Sequence, residues 1–204
     1  MTFSNLHPTT ILSSIFAAIV LSGEPLTLLE HPHSSLAYAS PAIGGPFTLV
    51  AEDGKTVTDE AFRGKWLLIY FGYTNCPDAC PTTLSSIAEV LTRLGPLADK
   101  VQPLFISIDP NRDTPEVLGR YVKSFDPRIV GLTGTAEQIR AVAGEFGVYY
   151  AARKTGNGSN DYAMDHSGFI YVMNSQGQFA AAISSGQTPN ALASRLRQLM
   201  TSSS

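Results

Sequence analysis

Trp66-Leu67-Leu68-Ile69-Tyr70-Phe71-Gly72-Tyr73-Thr74-Asn75-Cys76-Pro77-Asp78-Ala79-Cys80-Pro81 runs from an apolar strand, through a turn, into the start of a helix. The largely apolar run from Trp66 to Tyr73 is the mark of a strand covered on both faces. Beyond Pro81, Thr82 to Leu94 sets Leu84, Ile87, Ala88, Leu91 and Leu94 at helical spacing. Between strand and helix lie Cys76 and Cys80, the 2 cysteines of the 204-residue chain. Thiols at the exit of a strand and the mouth of a helix brace a fold poorly. They are well placed for redox chemistry or for holding a soft metal ion.

The flanking sequence extends this into an alternating pattern. Upstream, Phe47 to Val50 and Lys55 to Thr58 flank Glu52-Asp53-Gly54, which predicts a hairpin turning at Asp-Gly. Downstream, Val101 to Ile108 is a second buried-type strand, and Thr114-Pro115 opens a helix with threonine as its cap and proline in its first turn. Ile129 to Leu132 predicts a short strand, and Thr135-Ala136-Glu137-Gln138 a capping box opening a helix to about Phe146. Val148 to Ala152 reads as a strand, and Thr155 to Asp161 as an exposed polar loop. Phe169 to Met173 and Phe179 to Ser184 flank Asn174-Ser175-Gln176-Gly177 as a second hairpin, and Thr188-Pro189 starts a last helix reaching about Met200. The predicted class is α/β: a mixed central sheet flanked by helices, with an added N-terminal hairpin.

The predicted folded domain covers residues 46–204, after a Pro- and Gly-containing linker over 24–45 that holds His31 and His33. Residues 1–23 carry the apolar run Ile11 to Leu21, which predicts a signal peptide or a membrane anchor even though no Lys or Arg precedes the run. Export to the bacterial periplasm, or tethering at the inner membrane, is the expected localisation. A net charge of −3 and the lack of a Lys/Arg cluster exclude nucleic acid as an expected partner. Hydrophobic content of 44% against 15% charged residues is that of a globular chain.

The five-residue span Cys76-Pro77-Asp78-Ala79-Cys80 is one residue longer than the C-x-x-C of thioredoxin-type redox motifs. The wider loop has room for an ion between both sulfurs, and the metal-binding form is the reduced form. A structural disulfide or a pair of inert thiols is the plainer alternative. With Pro81 in the first helical position, Cys80 is expected at the N-cap, where unpaired amides and the helix dipole would lower its pKa.

Thiolates select soft metals such as Cu(I), and imidazole accepts copper or zinc. Among His7, His31, His33 and His166, only His166 falls inside the predicted domain, on the segment Tyr162-Ala163-Met164-Asp165-His166-Ser167-Gly168, expected to be a loop. Cys76, Cys80 and His166 therefore form the candidate metal site, with Asp165 the expected orienting partner of the imidazole. Structural zinc would need a fourth ligand from Asp78, Asp165 or elsewhere. Met164 is expected to pack rather than to ligate.

Three blocks carry a family resemblance: Tyr70 to Leu84, Ser107-Ile108-Asp109-Pro110-Asn111-Arg112-Asp113-Thr114-Pro115-Glu116, and Asp165-His166-Ser167-Gly168-Phe169-Ile170-Tyr171-Val172-Met173. From about Phe47 to Met200 the chain resembles the Sco/SenC family of copper chaperones for cytochrome c oxidase assembly. The resemblance implies a thioredoxin-like fold, with Cys76, Cys80 and His166 as copper ligands for Cu(I) and also Cu(II). It implies delivery of copper to the dinuclear copper site of an oxidase subunit, other periplasmic copper chaperones or thiol reductants as further partners, and a membrane tether. Some members act mainly as thiol–disulfide reductases, so Cys76 and Cys80 are equally candidates for a catalytic redox pair that keeps the oxidase cysteines reduced. A peroxide-reducing thiol protein is a third option. In the second block, Arg112 and Asp113 are expected to pair with each other, to meet a partner or to stabilise the loop.

Overall fold

The computed structural model describes residues 43–158 and 161–202. The predicted leader and most of the linker, with His7, His31 and His33, lie outside the described residues. In chain order the strands are β1 (Thr48–Ala51), β2 (Thr56–Thr58), β3 (Trp66–Gly72), β4 (Val101–Ser107), β5 (Val130–Thr133), β6 (Tyr150–Lys154), β7 (Tyr162–His166), β8 (Phe169–Met173) and β9 (Phe179–Ser184). The helices are α1 (Ala79–Leu94), α2 (Pro115–Lys123), α3 (Ala136–Glu145) and α4 (Pro189–Ser202).

Seven strands form one mixed sheet in the order β2-β1-β5-β4-β3-β8-β9. β3, β4 and β5 run parallel, while β1 and β8 join them antiparallel. All seven residues of β3 are buried, as the unbroken apolar run requires for a strand with both faces covered. Pro103 sits in the middle of this sheet without harm, because the pairing of β4 with β5 begins only at Leu104. The Asp-Gly hairpin forms as predicted, with Gly54 at φ +82°. Thr114 caps α2 by accepting from the Val117 amide, and Thr135 with Gln138 completes the predicted capping box of α3.

Register sets where chemistry can occur. Gly72 at the end of β3 lies opposite Ser107 at the end of β4, so the cysteine loop and the loop after Ser107 leave the sheet at the same edge. β8 runs the other way, with Ile170 opposite Tyr70, so the segment entering β8 arrives at that edge too. The carboxyl ends of parallel strands are where open α/β sheets place their ligands.

β6 forms two residues later than the strand expected over Val148 to Ala152, and β7 departs from the sequence reading. They pair with each other as a separate two-stranded sheet, register Tyr150↔His166 to Lys154↔Tyr162, and the polar segment from Thr155 separates them in sequence. The residues expected to form a loop before β8 are thus a strand. Its sequence, Tyr162-Ala163-Met164-Asp165-His166, lacks β-branched residues and carries no clear alternation, so neither propensity nor period marks it.

Candidate metal centre

The Sγ atoms of Cys76 and Cys80 and a ring nitrogen of His166 all lie within 4.8 Å of one another. Both cysteines are free thiols. α1 begins at Ala79 with Asp78 as its N-cap, so Cys80 is already inside the first turn. The sulfur at the helix mouth is that of Cys76, which accepts the Cys80 amide at 3.4 Å. The placement of Cys80 at the cap is corrected accordingly, and so is its acidity. Burial pushes the Cys80 thiol up to about 12, and the nearby Cys76 sulfur adds to this, against a backbone hydrogen bond from Tyr73. The helix start cannot lower the pKa of a sulfur that packs inward, against the chain at the end of β3. A Cβ on Gly72 would lie 2.8 Å from that sulfur and 2.7 Å from the Phe105 ring, so only glycine leaves it room.

His166 ends β7 and turns its Nε2 toward Cys80 Sγ, 3.7 Å away. Its Nδ1 lies 3.1 Å from the Ser167 carbonyl oxygen. A carbonyl can only accept, so Nδ1 carries the hydrogen, and in the neutral ring Nε2 presents its lone pair to the sulfurs. The expected orienting role of Asp165 is thereby corrected. That carboxylate is exposed and faces Arg153 at 3.3 Å across the hairpin. Two tyrosines fix the plane of the ring by edge contacts: Tyr70 at 6.0 Å and Tyr73 at 6.2 Å between centroids. Burial raises the Tyr70 phenol well above its ordinary value, which keeps its hydroxyl protonated and facing Cys80 Sγ at 3.9 Å.

The set suits a soft ion. A triangle of donors with one side of 3.7 Å and none above 4.8 Å is of the size that bonds of about 2.3 Å to sulfur require. Among the described residues no carboxylate joins the group, so a hard cation would lack its oxygen ligands. Asp78 instead accepts from Thr82 at 3.3 Å, and Met164 packs against the core. The second sequence block is also resolved. Arg112 pairs with Asp109, not with Asp113. Asp113 is buried and accepts from Ser107 Oγ and Thr74 Oγ1 at 2.6 Å each. Gly72, Tyr70, Tyr73 and Ser167 escaped the sequence reading. A glycine ending an apolar strand beside a cysteine was the one available signal of close approach.

A mixed α/β domain with a dithiol loop at the carboxyl edge of its sheet, joined there by one imidazole, defines a thioredoxin-like protein with a two-sulfur, one-nitrogen site. The chain belongs to the SCO1/SenC family, whose description matches residues 37–201. It is 43% identical over 148 residues to Protein SCO2, mitochondrial, of Saccharomyces cerevisiae, covering 72% of this chain and 49% of that one. The chain thus spans about half the length of that relative. Among solved structures, Bradyrhizobium japonicum ScoI with copper bound is 46% identical with a TM-score of 0.70, covering 78% of this chain and 99% of that one. Arabidopsis thaliana ScoI with copper bound is 38% identical with a TM-score of 0.74, covering 79% and 99%.

Proposed function

We propose that this protein is a copper chaperone that binds copper through Cys76, Cys80 and His166 and passes it to the dinuclear copper site of a cytochrome c oxidase subunit. The observation that carries the reading is the convergence of two thiols and one properly oriented imidazole nitrogen within 4.8 Å. Family members are cytochrome c oxidase assembly proteins, and relatives with this fold hold copper. Two thiolates with one imidazole favour Cu(I), and the nitrogen makes Cu(II) acceptable as well. Delivery by ligand exchange requires that an incoming thiolate reach the ion. Cys76 is only half-buried while Cys80 is fully buried, so exchange would begin at the Cys76 side. On this reading the domain works in the bacterial periplasm, exported or tethered by the N-terminal apolar segment. Among the described residues no helix is long and apolar enough to cross a membrane.

The test is anaerobic titration of the reduced protein with Cu(I), read by X-ray absorption. One equivalent with two sulfur scatterers and one nitrogen is expected, and Cys76→Ser or Cys80→Ser should abolish tight binding. Retention of wild-type stoichiometry and affinity in the serine variants would refute the site.

The asymmetry of the thiols also favours a second reading, a thiol–disulfide reductase in which accessible Cys76 attacks and buried Cys80 resolves. In that case His166→Ala should leave disulfide exchange largely intact while copper binding weakens.

A further inference from the structure

The nitrogen ligand is carried on an appendage. β6 and β7 share no ladder with the seven-stranded sheet, yet His166, at the end of β7, must meet sulfurs held by the β3–α1 loop and the first turn of α1. Some group must lock the hairpin to the sheet edge, and Arg112 has the required reach. Its guanidinium lies over the Tyr162 ring, 3.7 Å from the centroid, at the first residue of β7. Its Nη1 donates to the Tyr162 carbonyl at 2.9 Å. On its other side it pairs with buried Asp109, which also accepts the Tyr162 hydroxyl at 2.7 Å. The same guanidinium stands 5.7 Å from the centroid of Tyr73, the residue that enters the cysteine loop and meets the His166 ring edge-on.

Arg112 itself is anchored from beneath. Its amide and that of Asp113 donate to the Asp109 carbonyl at 3.1 and 3.0 Å, and the Asp109 amide donates to Ser107 Oγ at 3.0 Å. Asp113 takes the Ser107 hydroxyl and both the amide and hydroxyl of Thr74, two residues from Cys76. One chain of bonds therefore runs from the cysteine loop, through the loop after β4, to the strand bearing the histidine. The guanidinium is the member that touches both ends, and its side chain is only 13% exposed. A planar, always-charged fork can stack on one ring, pair with a carboxylate and reach a carbonyl together, which an ammonium cannot.

We propose that Arg112 is a positioning residue for the metal site: clamped between Asp109 and Tyr162, it holds the β6–β7 hairpin so that His166 stays within bonding reach of Cys76 and Cys80. The proposal rests on the three-ligand copper reading above. Groups that orient a ligand commonly cost 10- to 100-fold in metal affinity when removed, and about that loss is expected here.

The experiment uses the full reduced chain carrying Arg112→Gln, alone and combined with His166→Ala, in Cu(I) competition with a chromogenic chelator. Arg112→Gln should weaken binding about 10-fold or more, with fewer nitrogen scatterers around copper. In the His166→Ala background the same change should add nothing. In the metal-free proteins, hydrogen exchange of the β6–β7 amides should quicken while that of β3 and β4 stays unchanged. An affinity within about twofold of wild type, or an equal loss with and without His166, would overturn the proposal. If Arg112→Gln does not fold, Tyr162→Phe removes the hydroxyl bond to Asp109 and keeps the stacked ring. It should then weaken copper binding and loosen the hairpin by a smaller margin, and wild-type behaviour on both counts would overturn the proposal. Loss of the parent reading shows differently, as copper binding that survives Cys76→Ser and Cys80→Ser.

Discussion

At the scale of single residues, the site is built by exclusion of volume as much as by ligand chemistry. Cys80 Sγ occupies the space that a side chain at position 72 would need. Gly72→Ala would place a methyl 2.7 Å from the Phe105 ring and 2.8 Å from the sulfur, closer than real contacts allow. β3 is buried on both faces and paired with β4 and β8, so the strand cannot retreat. The expected cost is that of overpacking, about 1–3 kcal/mol. For a domain of this size that lowers Tm by about 2–12 °C. Calorimetry would measure that drop, and chelator competition should show weaker copper binding, since the added methyl presses on the Cys80 sulfur. An unchanged Tm and affinity would mean that the loop absorbs the methyl elsewhere. The candidate ligands were legible at this scale because they are the 2 cysteines of the chain and the one histidine within the predicted domain. The environment of Cys80 was not. Sequence spacing put it at the helix cap, whereas the helix starts at Ala79 and turns that sulfur inward.

At the scale of elements, caps and turns behaved as local chemistry dictates. The threonine caps predicted for α2 and α3 and the Asp-Gly hairpin formed, because each depends on residues within four positions of one another, whereas the cap expected at Cys80 fell to Asp78. The β6–β7 hairpin escaped because it is held by tertiary contacts to Arg112 and Asp109, about 50 residues away along the chain. A similar device, this time local, sets the turn from α2 into β5. Arg128 donates to Asp126 from its amide and Nε at 2.9 Å and from Nη2 at 2.6 Å, while the Ile129 amide donates to the Asp126 carbonyl at 3.1 Å. The Arg128 guanidinium holds the Asp126 carboxyl below its ordinary value, with burial acting the other way. A depressed folded-state pKa gives stability that is present above the unfolded value, about 3.9, and lost as pH falls through the lower folded one. Asp126→Asn should therefore cost about 1 kcal/mol or less at neutral pH. The variant and the wild type should converge on acidification below pH ~3. Urea denaturation at a series of pH values measures this, and a gap that persists or widens in acid would reverse the assignment.

At the scale of the whole molecule, the sheet register works as a device for bringing distant segments together. Cys80 and His166 are 86 residues apart in sequence, yet Sγ and Nε2 stand 3.7 Å apart because β3 ends where β8 begins. The ion would then act as a cross-link between the main sheet and the hairpin, made only in the folded state. Anything that binds only the folded form stabilises it by mass action, by about 2.7 kcal/mol at a hundredfold excess over Kd. At 2–4 °C per kcal/mol that is a rise in Tm of about 5–10 °C. Trp66, the single tryptophan, is buried at the start of β3 and gives a fluorescence signal for global unfolding. Saturating Cu(I) under anaerobic conditions should raise the wild-type midpoint by that amount. The rise should be smaller in His166→Ala, where the ion no longer ties the hairpin to the sheet, and absent in Cys80→Ser. A rise of equal size in all three proteins would mean that the ion stabilises the fold from some other place, and that the convergence of these three side chains has no part in holding it.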